Sequence, residues 1–372
     1  MEINNQINQN NKNYSFNRYT KAINTLLQNI GDTSYLNSVL YLLANIRHFA
    51  SYFLNPKNDN FIQQRLQEQR PLLYTFQRLL FHLYPFPETD NRETYKPNAL
   101  FQLLGNMNAV YKSFQKRSPN DLLCYLLSNL HKEMNTAVIG QKLEGNIYDR
   151  RSVIKYGSKN FQQNNNSIIS NILNWFEIKE CFCNKCMKTS YEFQNFSTFS
   201  LDIKSAYNKK NNNNNERKES ITIYDSLAHY NSPKQQNFYC KNCKQTICSL
   251  ITTKIFSTSC YLFFLIDRGN DFDNSNELIN INLHIYDKID LSNFVEMNES
   301  PKKYELVGIV SIFLTQKKYV SVCRSPVDKK WYFYNDENIN LIDINEVLNK
   351  HNDLKEIIPC ILLYKTVDNI QN

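Results

Sequence analysis

Residues 26–43 read Leu-Leu-Gln-Asn-Ile-Gly-Asp-Thr-Ser-Tyr-Leu-Asn-Ser-Val-Leu-Tyr-Leu-Leu. Gly31 supplies a turn, and the apolar run that follows it predicts a helix. Ser34 is a small polar residue at the start of that helix. The backbone N–H groups of a first helical turn have no partner inside the helix, so they can stabilise an anion. The segment is therefore typical of the place where an enzyme carries a nucleophile.

The composition bounds the class of protein. A chain of 372 residues can form one large domain or two smaller ones. Its net charge of +8 comes with lysines scattered in pairs, which is typical of a solvated face and argues against nucleic-acid binding.

Apolar segments and cysteines indicate the compartment. The first residues, Met-Glu-Ile-Asn-Asn, lack the apolar core of a signal peptide, and runs such as Cys260–Ile266 are too short to span a bilayer. We expect an intracellular protein, cytoplasmic or nuclear, with no membrane partner. Its 10 cysteines are then reduced or metal-bound.

The chain divides into a helical part and a β-rich part. Residues 1–20 are Asn-rich and predict a disordered tail. Apolar spacing predicts a helical pair over 22–53 and a helical stretch over 62–82, and Ser118-Pro119 predicts the start of a helix over 121–135. From about residue 170 short β-type runs follow, and residues 208–220 read as a loop insertion. The order predicts an α+β architecture. The predicted strands are Phe193–Ile203, Ser249–Phe256, Tyr261–Asp267, Tyr304–Leu314, Tyr319–Arg324, Trp331–Tyr334 and Ile358–Lys365.

Two Cys-x-x-Cys pairs predict a metal site. They are Cys183/Cys186 and Cys240/Cys243, and each pair can offer two thiolates to one tetrahedral ion. A chance pair of cysteines in a hairpin is the plainer alternative. A redox pair is another, but neither motif opens a helix. Cys181 and Cys248 lie near enough in sequence to compete as ligands. A four-thiolate site is closed, so we expect a structural Zn²⁺.

The segment 26–43 resembles the "Cys box" of the ubiquitin-specific proteases (peptidase C19). That pattern runs Gly-Leu-x-Asn-x-Gly-Asn-Thr-Cys-Tyr-x-Asn-Ser. The matching positions are Asn29, Gly31, Thr33, Tyr35, Asn37 and Ser38. Ser34 stands where the family has its catalytic cysteine. The resemblance implies that Asn29 is the residue that helps to form the oxyanion hole.

The resemblance spans about residues 22–365, with the family's motifs in order. The cysteine pairs match its zinc-ribbon "fingers", and Tyr261–Arg268 resembles its buried strand ending in Leu-x-Arg. It implies a papain-like α+β fold over 21–368. The expected parts are a helical thumb (about 21–140), zinc-ribbon fingers (about 170–255) and a β-rich palm (about 256–368).

The remaining catalytic positions are altered. The family's Gly-His-Tyr aligns with Lys317-Lys318-Tyr319, so Lys318 replaces the general base. The family's Asp or Asn that orients the base follows a Trp-x-x-Phe pattern. Here Trp331–Tyr334 is followed by Asn335 and Asp336, so the resemblance implies that the orienting residue survives at Asn335.

Substrate-binding positions are altered as well. The family's Gln-x-Asp-x-x-Glu appears as Pro119–Cys124 and keeps Asp121 alone, which could equally be a helix-terminal carboxylate. The resemblance implies Asp121, Tyr319 and Asp336 as binding positions. The family grips the basic ubiquitin tail in an acidic groove, so Lys317 and Lys318 should weaken that binding.

Three functional hypotheses follow. The first is a catalytically inactive relative that binds ubiquitin, a ubiquitin-like protein or another partner within an assembly, as family members without catalytic residues do in RNA processing. The second is an active hydrolase that uses Ser34 with Lys318, since Ser–Lys dyads occur on other folds. The third is a structural subunit that no longer binds ubiquitin.

Overall fold

The computed structural model describes residues 21–84, 93–113, 115–138, 140–211, 220–267, 281–353 and 357–367. The predicted tail at 1–20, Arg268 and most of the predicted loop at 208–220 lie outside these ranges. Within them, helices dominate the first part and sheets the second, which confirms the mixed helix-and-sheet prediction.

In the described part of the thumb, five helices pack around a sixth, central one. The central helix α1 is mostly apolar and is buried at every position, as a core helix is. It also packs tightly on the palm, since a Cβ added at Gly308 would lie 2.3 Å from Leu42 Cδ1. The helices are α1 (Ser34–Ala44), α2 (Arg47–Leu54), α3 (Asp59–Gln67), α4 (Leu72–Leu83), α5 (Asn98–Met107) and α6 (Pro119–Met134).

The helices predicted over 62–82 and 121–135 are both present in the thumb, with different bounds. The stretch predicted over 62–82 is two helices, because the chain turns at Gln69, whose φ is 59°. Helix α6 begins at Pro119 as predicted, and the Asp121 N–H donates to Ser118 Oγ at its N-terminus. A short parallel pair, β1 (Leu26–Leu27) and β2 (Thr94–Tyr95), joins the loop before α1 to the thumb.

The palm is an eight-stranded sheet that separates two apolar cores. Its order is β15-β14-β13-β12-β16-β9-β5, and β11 pairs with β12. One face packs against the thumb, and the other is covered by α9 (Ile203–Asn211), α10 (Ile223–Tyr230) and α11 (Ile344–Asp353). The strands are β5 (Phe199–Leu201), β9 (Tyr261–Ile266), β11 (Lys288–Asp290), β12 (Lys303–Phe313), β13 (Lys318–Arg324), β14 (Trp331–Tyr334), β15 (Ile339–Ile342) and β16 (Ile357–Thr366). A short parallel pair, β6 (Ile221–Thr222) and β10 (Leu283–His284), lies beside the sheet.

The fingers are a separate antiparallel sheet with the order β4-β3-β8-β7. Its strands are β3 (Trp175–Cys183), β4 (Lys188–Phe196), β7 (Lys234–Cys240) and β8 (Gln245–Ser257). Residues between β4 and β7 do not belong to it: β5 pairs with β9, and α10 packs in the palm core. The range 170–255 therefore contains both fingers and palm elements, unlike the single block expected from sequence.

Two further helices precede the fingers, α7 (Arg150–Asn164) and α8 (Ile168–Ile172). Helix α7 lies against the fingers, where a Cβ at Gly157 would be 2.5 Å from the Phe193 ring. No helix in the described ranges has the length and apolarity needed to cross a membrane.

Candidate functional site

The loop before α1 is fixed by its own side chains. Gly31 has φ 130°, a conformation that side-chain-bearing residues rarely adopt. Asn29 Oδ1 accepts hydrogen bonds from the Thr33 N–H (3.0 Å) and from Thr33 Oγ1 (2.9 Å). Thr33 Oγ1 in turn accepts one from the Ile30 N–H at 3.2 Å. The sequence Asn-x-Gly-x-Thr thus folds back on itself and sets the first residue of α1, Ser34.

The Ser34 hydroxyl is buried against the palm. The residue is 1% exposed, and its Oγ accepts a hydrogen bond from the Tyr319 N–H of β13 at 3.1 Å. The bond joins the N-terminus of α1 to the palm strand that carries Lys318. The oxygen that would have to attack a substrate is therefore enclosed and already accepts a backbone hydrogen bond.

Lys318 is the first residue of β13 and its amine faces carboxylates. Nζ lies 3.5 Å from Glu337 Oε1 and 3.9 Å from Asp336 Oδ2, and the side chain is 35% exposed. Among the described residues this amine makes ion pairs with carboxylates and no hydrogen bond to Ser34. Lys317, the residue before Lys318, has a positive φ of 50°.

Asp336 is a largely enclosed carboxylate at the site. Its side chain is 6% exposed, and it accepts hydrogen bonds from Asn29 Nδ2 (2.8 Å) and Asn37 Nδ2 (3.3 Å). Burial raises the pKa of this carboxyl, while the two amides and the Lys318 charge act in the opposite direction. Asn37 also donates to the Leu27 carbonyl at 3.1 Å. The sequence motif includes Asn37 without indicating its role. Its position one helical turn after Ser34 places it on the same face of α1 and could have identified it as a site residue.

Asn335 has a different environment from the one predicted. Its Oδ1 accepts hydrogen bonds from the Glu337 N–H (2.9 Å) and the Asn338 N–H (2.6 Å), which closes the turn between β14 and β15. The carboxylate beside Lys318 is that of Asp336 instead. The sequence pattern located the turn correctly, but the side chain that points to the site is one residue later.

The two other predicted binding positions, Asp121 and Tyr319, differ in how exposed their side chains are. Asp121 is exposed in the first turn of α6, beside Asn120, whose Nδ2 donates to the Ile266 carbonyl at 3.1 Å. The Tyr319 side chain is 2% exposed and belongs to the core, so only its main chain takes part in the site.

The four predicted cysteines converge at the tip of the fingers. Cys183 Sγ lies 3.7 Å from Cys243 Sγ, Cys186 Sγ lies 3.8 Å from Cys240 Sγ, and all four sulfurs lie within 4.8 Å of one another. A tetrahedral site with a metal–sulfur distance of about 2.3 Å has sulfur–sulfur edges of about 3.8 Å. The cluster therefore has the size of a tetrathiolate zinc site.

The two halves of this cluster are built alike. The N–H of the residue after each second cysteine, Met187 or Lys244, donates to the carbonyl of the first cysteine at 2.8 Å. Both residues have a positive φ, 57° and 53°. Cys181 and Cys248 lie outside the cluster, in β3 and β8, so they do not compete for it.

A comparison with family models assigns the fold. The model described as "Ubiquitin carboxyl-terminal hydrolase" matches residues 25–364. The chain belongs to this family. The ubiquitin carboxyl-terminal hydrolase domain thus covers the thumb, the fingers and the palm, and includes both Ser34 and the cysteine cluster.

Curated relatives and solved structures agree with this family. Ubiquitin carboxyl-terminal hydrolase 3 of mouse and of human is each 24% identical over 237 residues, covering 59% of this chain and 45% of the relative. The Drosophila melanogaster hydrolase Usp2 is 22% identical over 326 residues, covering 84% of this chain and 32% of the relative. The chain thus spans less than half the length of these relatives. A structure of the SAGA DUB module Ubp8/Sgf11/Sus1/Sgf73 bound to monoubiquitin superposes with a TM-score of 0.66 at 17% identity, covering 99% of this chain and 74% of that chain.

Proposed function

We propose that this hydrolase-family domain binds rather than cleaves: it is a pseudo-deubiquitinase that holds ubiquitin, or a ubiquitin-like or other partner protein, in a larger assembly. The observation that carries the proposal is the pairing at the site. The Ser34 hydroxyl is buried beneath the Tyr319 N–H, and the Lys318 amine faces Asp336 and Glu337.

The chemistry of acyl transfer supports this proposal. A serine hydroxyl needs a general base within hydrogen-bond reach, whereas a cysteine has a pKa of about 8.5 and forms a thiolate more easily. A free lysine has a pKa of about 10.4, so it acts as a base only where its surroundings favour the neutral amine. Two carboxylates beside Lys318 are the surroundings of an ammonium ion. Neither the nucleophile nor the base is then in the state that hydrolysis requires.

The fingers are proposed to hold a structural Zn²⁺. Cys183, Cys186, Cys240 and Cys243 supply four thiolates at the right mutual distances, and the Cys243 N–H donates to Cys240 Sγ at 3.4 Å. A bound ion would fasten the ends of β3 and β7 together. A closed site of this kind contributes folding energy and no catalytic step.

The likeness to the Ubp8 structures supports partner binding. Those structures contain monoubiquitin or ubiquitin aldehyde, and Sgf11, Sus1 and Sgf73. By analogy we infer that this domain also works as a subunit, with ubiquitin held weakly because Lys317 and Lys318 stand in its tail cleft.

Two assays separate the possible functions. The full chain is incubated with a fluorogenic ubiquitin C-terminal amide, and binding to ubiquitin is measured by NMR titration. We expect no turnover and weak, saturable binding. Turnover that Ser34→Ala abolishes would establish the active hydrolase and contradict the proposal. No ubiquitin binding would leave only a structural subunit and contradict its ubiquitin-binding part.

A further inference from the structure

We propose that a second surface of the palm, distant from Ser34, binds an acidic segment of a partner protein. Four cations form it: Arg47, Arg324, Lys329 and Lys365, called here the basic cluster. Lys318 begins β13 and Arg324 ends it. At about 3.3 Å per residue the two are about 20 Å apart, so the cluster is distinct from the candidate site.

Arg324 and Lys365 flank one carboxylate, and the Lys329 backbone bonds to Arg324. Arg324 Nη1 lies 2.8 Å from Glu305 Oε2, and Arg324 Nε donates to the Lys329 carbonyl at 3.3 Å. Glu305 on β12 stands directly opposite Lys365 on β16. The Cβ atoms of residues directly opposite each other on antiparallel strands lie about 4.5–5.5 Å apart, so Lys365 is a neighbour of Glu305.

The fourth cation reaches the cluster from the thumb. Arg47 is the exposed first residue of α2, and its neighbour His48 has Nδ1 3.1 Å from Tyr261 Oη. Tyr261 stands opposite Lys365 in the sheet. Burial lowers the pKa of His48 to about 4, and the positive charges of Lys365 and Arg47 lower it further. Arg47 and Lys365 thus act on the same imidazole.

The cluster has more positive than negative charge. Burial lowers the pKa of Lys329, and the charges of Lys365, Arg47 and Arg324 lower it further, while Glu305 acts in the opposite direction. Among the described residues Glu305 is the carboxylate at ion-pair distance from the cluster. Like charges held together destabilise a fold, so an external anion is the natural complement of this surface.

A rigid loop presents Lys329. The loop is closed by the Lys329 N–H donating to the Ser325 carbonyl (3.0 Å) and by the Ser325 N–H donating to the Lys330 carbonyl (2.9 Å). Lys329 Nζ is itself anchored on the Pro326 carbonyl at 2.6 Å, with a backbone φ of 64°. Because this loop is already ordered, little conformational entropy is lost when a partner binds to it.

The cluster fits carboxylates better than a nucleic acid. Single-stranded nucleic acids need a groove of cations along many phosphates and aromatic side chains for stacking. The exposed aromatic residues in the described ranges are Tyr148, Phe196 and Tyr239, which lie in or beside the fingers. A compact group of four cations without exposed rings matches a short run of Asp and Glu side chains.

The test measures binding of a fluorescein-labelled octaglutamate peptide to the full chain by anisotropy at low and at physiological salt. We expect binding that salt weakens, and a loss of roughly tenfold or more in affinity for the double variant Arg47→Glu/Lys329→Glu. The matched control is Lys155→Glu/Lys159→Glu on α7. It makes the same charge change at two exposed lysines of a helix that lies against the fingers. Its affinity should change by less than about twofold.

A further variant and a further binding measurement test whether a loss of affinity comes from the charge of the cluster. Lys329→Gly suits the positive φ and removes one charge, so a weaker version of the loss should appear in a protein that folds normally. Ubiquitin titration should be the same for all variants, since the basic cluster lies away from Ser34. The proposal fails if the wild type does not bind the peptide at low salt, or if the Lys155→Glu/Lys159→Glu control loses as much affinity. It fails also if single-stranded DNA of equal charge binds more tightly and is the ligand that the cluster variant loses.

Discussion

At the scale of single residues, Ser34 makes a structural hydrogen bond between the thumb and the palm. A thiol is a weak hydrogen-bond acceptor, whereas a hydroxyl oxygen accepts the Tyr319 N–H well. The same atom that would have to be freed for catalysis satisfies a buried backbone donor. Ser34 therefore joins α1 to β13 as part of the fold.

Replacing Ser34 tests this structural role. In Ser34→Ala the Tyr319 N–H loses the Ser34 Oγ acceptor in a buried place, so the free energy of unfolding should fall by about 1–3 kcal/mol. Ser38→Ala is the matched control, because its buried hydroxyl bonds only to the Tyr35 carbonyl of its own helix. Urea unfolding measures both. Equal losses in the two variants would show that the α1–β13 bond carries no special stability.

The pair Asn335 and Asp336 shows how far residue-level prediction reaches. The pattern after Trp331 identified the segment that approaches the site. Which of two neighbouring polar side chains faces the site depends on the turn, and Asn335 is used to close it. A shift of the turn by one residue would direct Asn335 to the site in place of Asp336. The spacing of residues in the sequence does not indicate which of these turns forms.

At the scale of elements, a carboxylate on one helix caps another. Glu133 near the end of α6 accepts hydrogen bonds from the Leu72 N–H (3.3 Å) and the Leu73 N–H (2.9 Å). N–H groups at the start of a helix such as α4 have no acceptor within the helix itself. Burial raises the pKa of Glu133, and these hydrogen bonds only partly oppose the rise. Two thumb helices are thus held in register by a group that titrates.

The raised pKa of Glu133 gives a pH dependence of known sign. The folded state holds the proton more tightly than the unfolded chain, where Glu titrates near pH 4.3. The stability from this group is complete below that pH and is lost as the pH rises through the folded pKa. Glu133→Gln does not titrate, so its stability relative to wild type should improve between about pH 4 and pH 7. Urea unfolding at several pH values measures the difference.

Glu68 is the control for this pH dependence. It is exposed, and hydrogen bonds from Arg65 and Gln64 lower the pKa of its carboxyl, so Glu68→Gln should show the opposite trend or none. A Glu133→Gln variant that weakens relative to wild type as the pH rises would contradict the burial argument.

We expect the fold of the fingers to depend on the proposed metal. Cys243→Ser should abolish the one zinc per chain expected from metal analysis and loosen the ends of β3 and β7, because a weaker ligand leaves the site open. Cys248→Ser is the control, as this exposed cysteine of β8 lies outside the cluster. Zinc content and hydrogen exchange of the fingers report the result. A well-protected, metal-free wild-type chain would refute the proposed zinc.

Elements were predictable where apolar spacing is regular. The strand at Trp331–Tyr334 matches its predicted bounds, and α1 follows from an unbroken apolar run. Helix α7 was missed because none of its residues is buried, so it carries no apolar stripe to read. Strand β3 was missed as well, since Glu and Lys interrupt its apolar residues.

At the scale of the whole molecule, the site lies where the thumb meets the palm. Helix α1 is buried between the thumb helices and the palm strands, and Asp336 bonds across this boundary to Asn29 and Asn37. The arrangement of the site is thus a property of the interface between the two halves. Sequence motifs identified its members, whereas their contacts depend on packing between residues about 300 positions apart.

Restoring the family's residues tests whether that interface still admits a ubiquitin tail. In Ser34→Cys/Lys318→His a thiolate-forming group and an imidazole replace the hydroxyl and the amine, with Asp336 already placed beside position 318. Hydrolysis of the fluorogenic ubiquitin amide should rise by roughly 10²–10⁴-fold over Ser34→Cys alone, the usual contribution of a general base. Ser34→Cys/Lys317→His is the matched control, with the imidazole one residue away and outside the strand. If the restored variant folds but neither cleaves nor binds ubiquitin, the cleft has lost the tail as well as the chemistry, and the ubiquitin-binding part of the proposal is wrong.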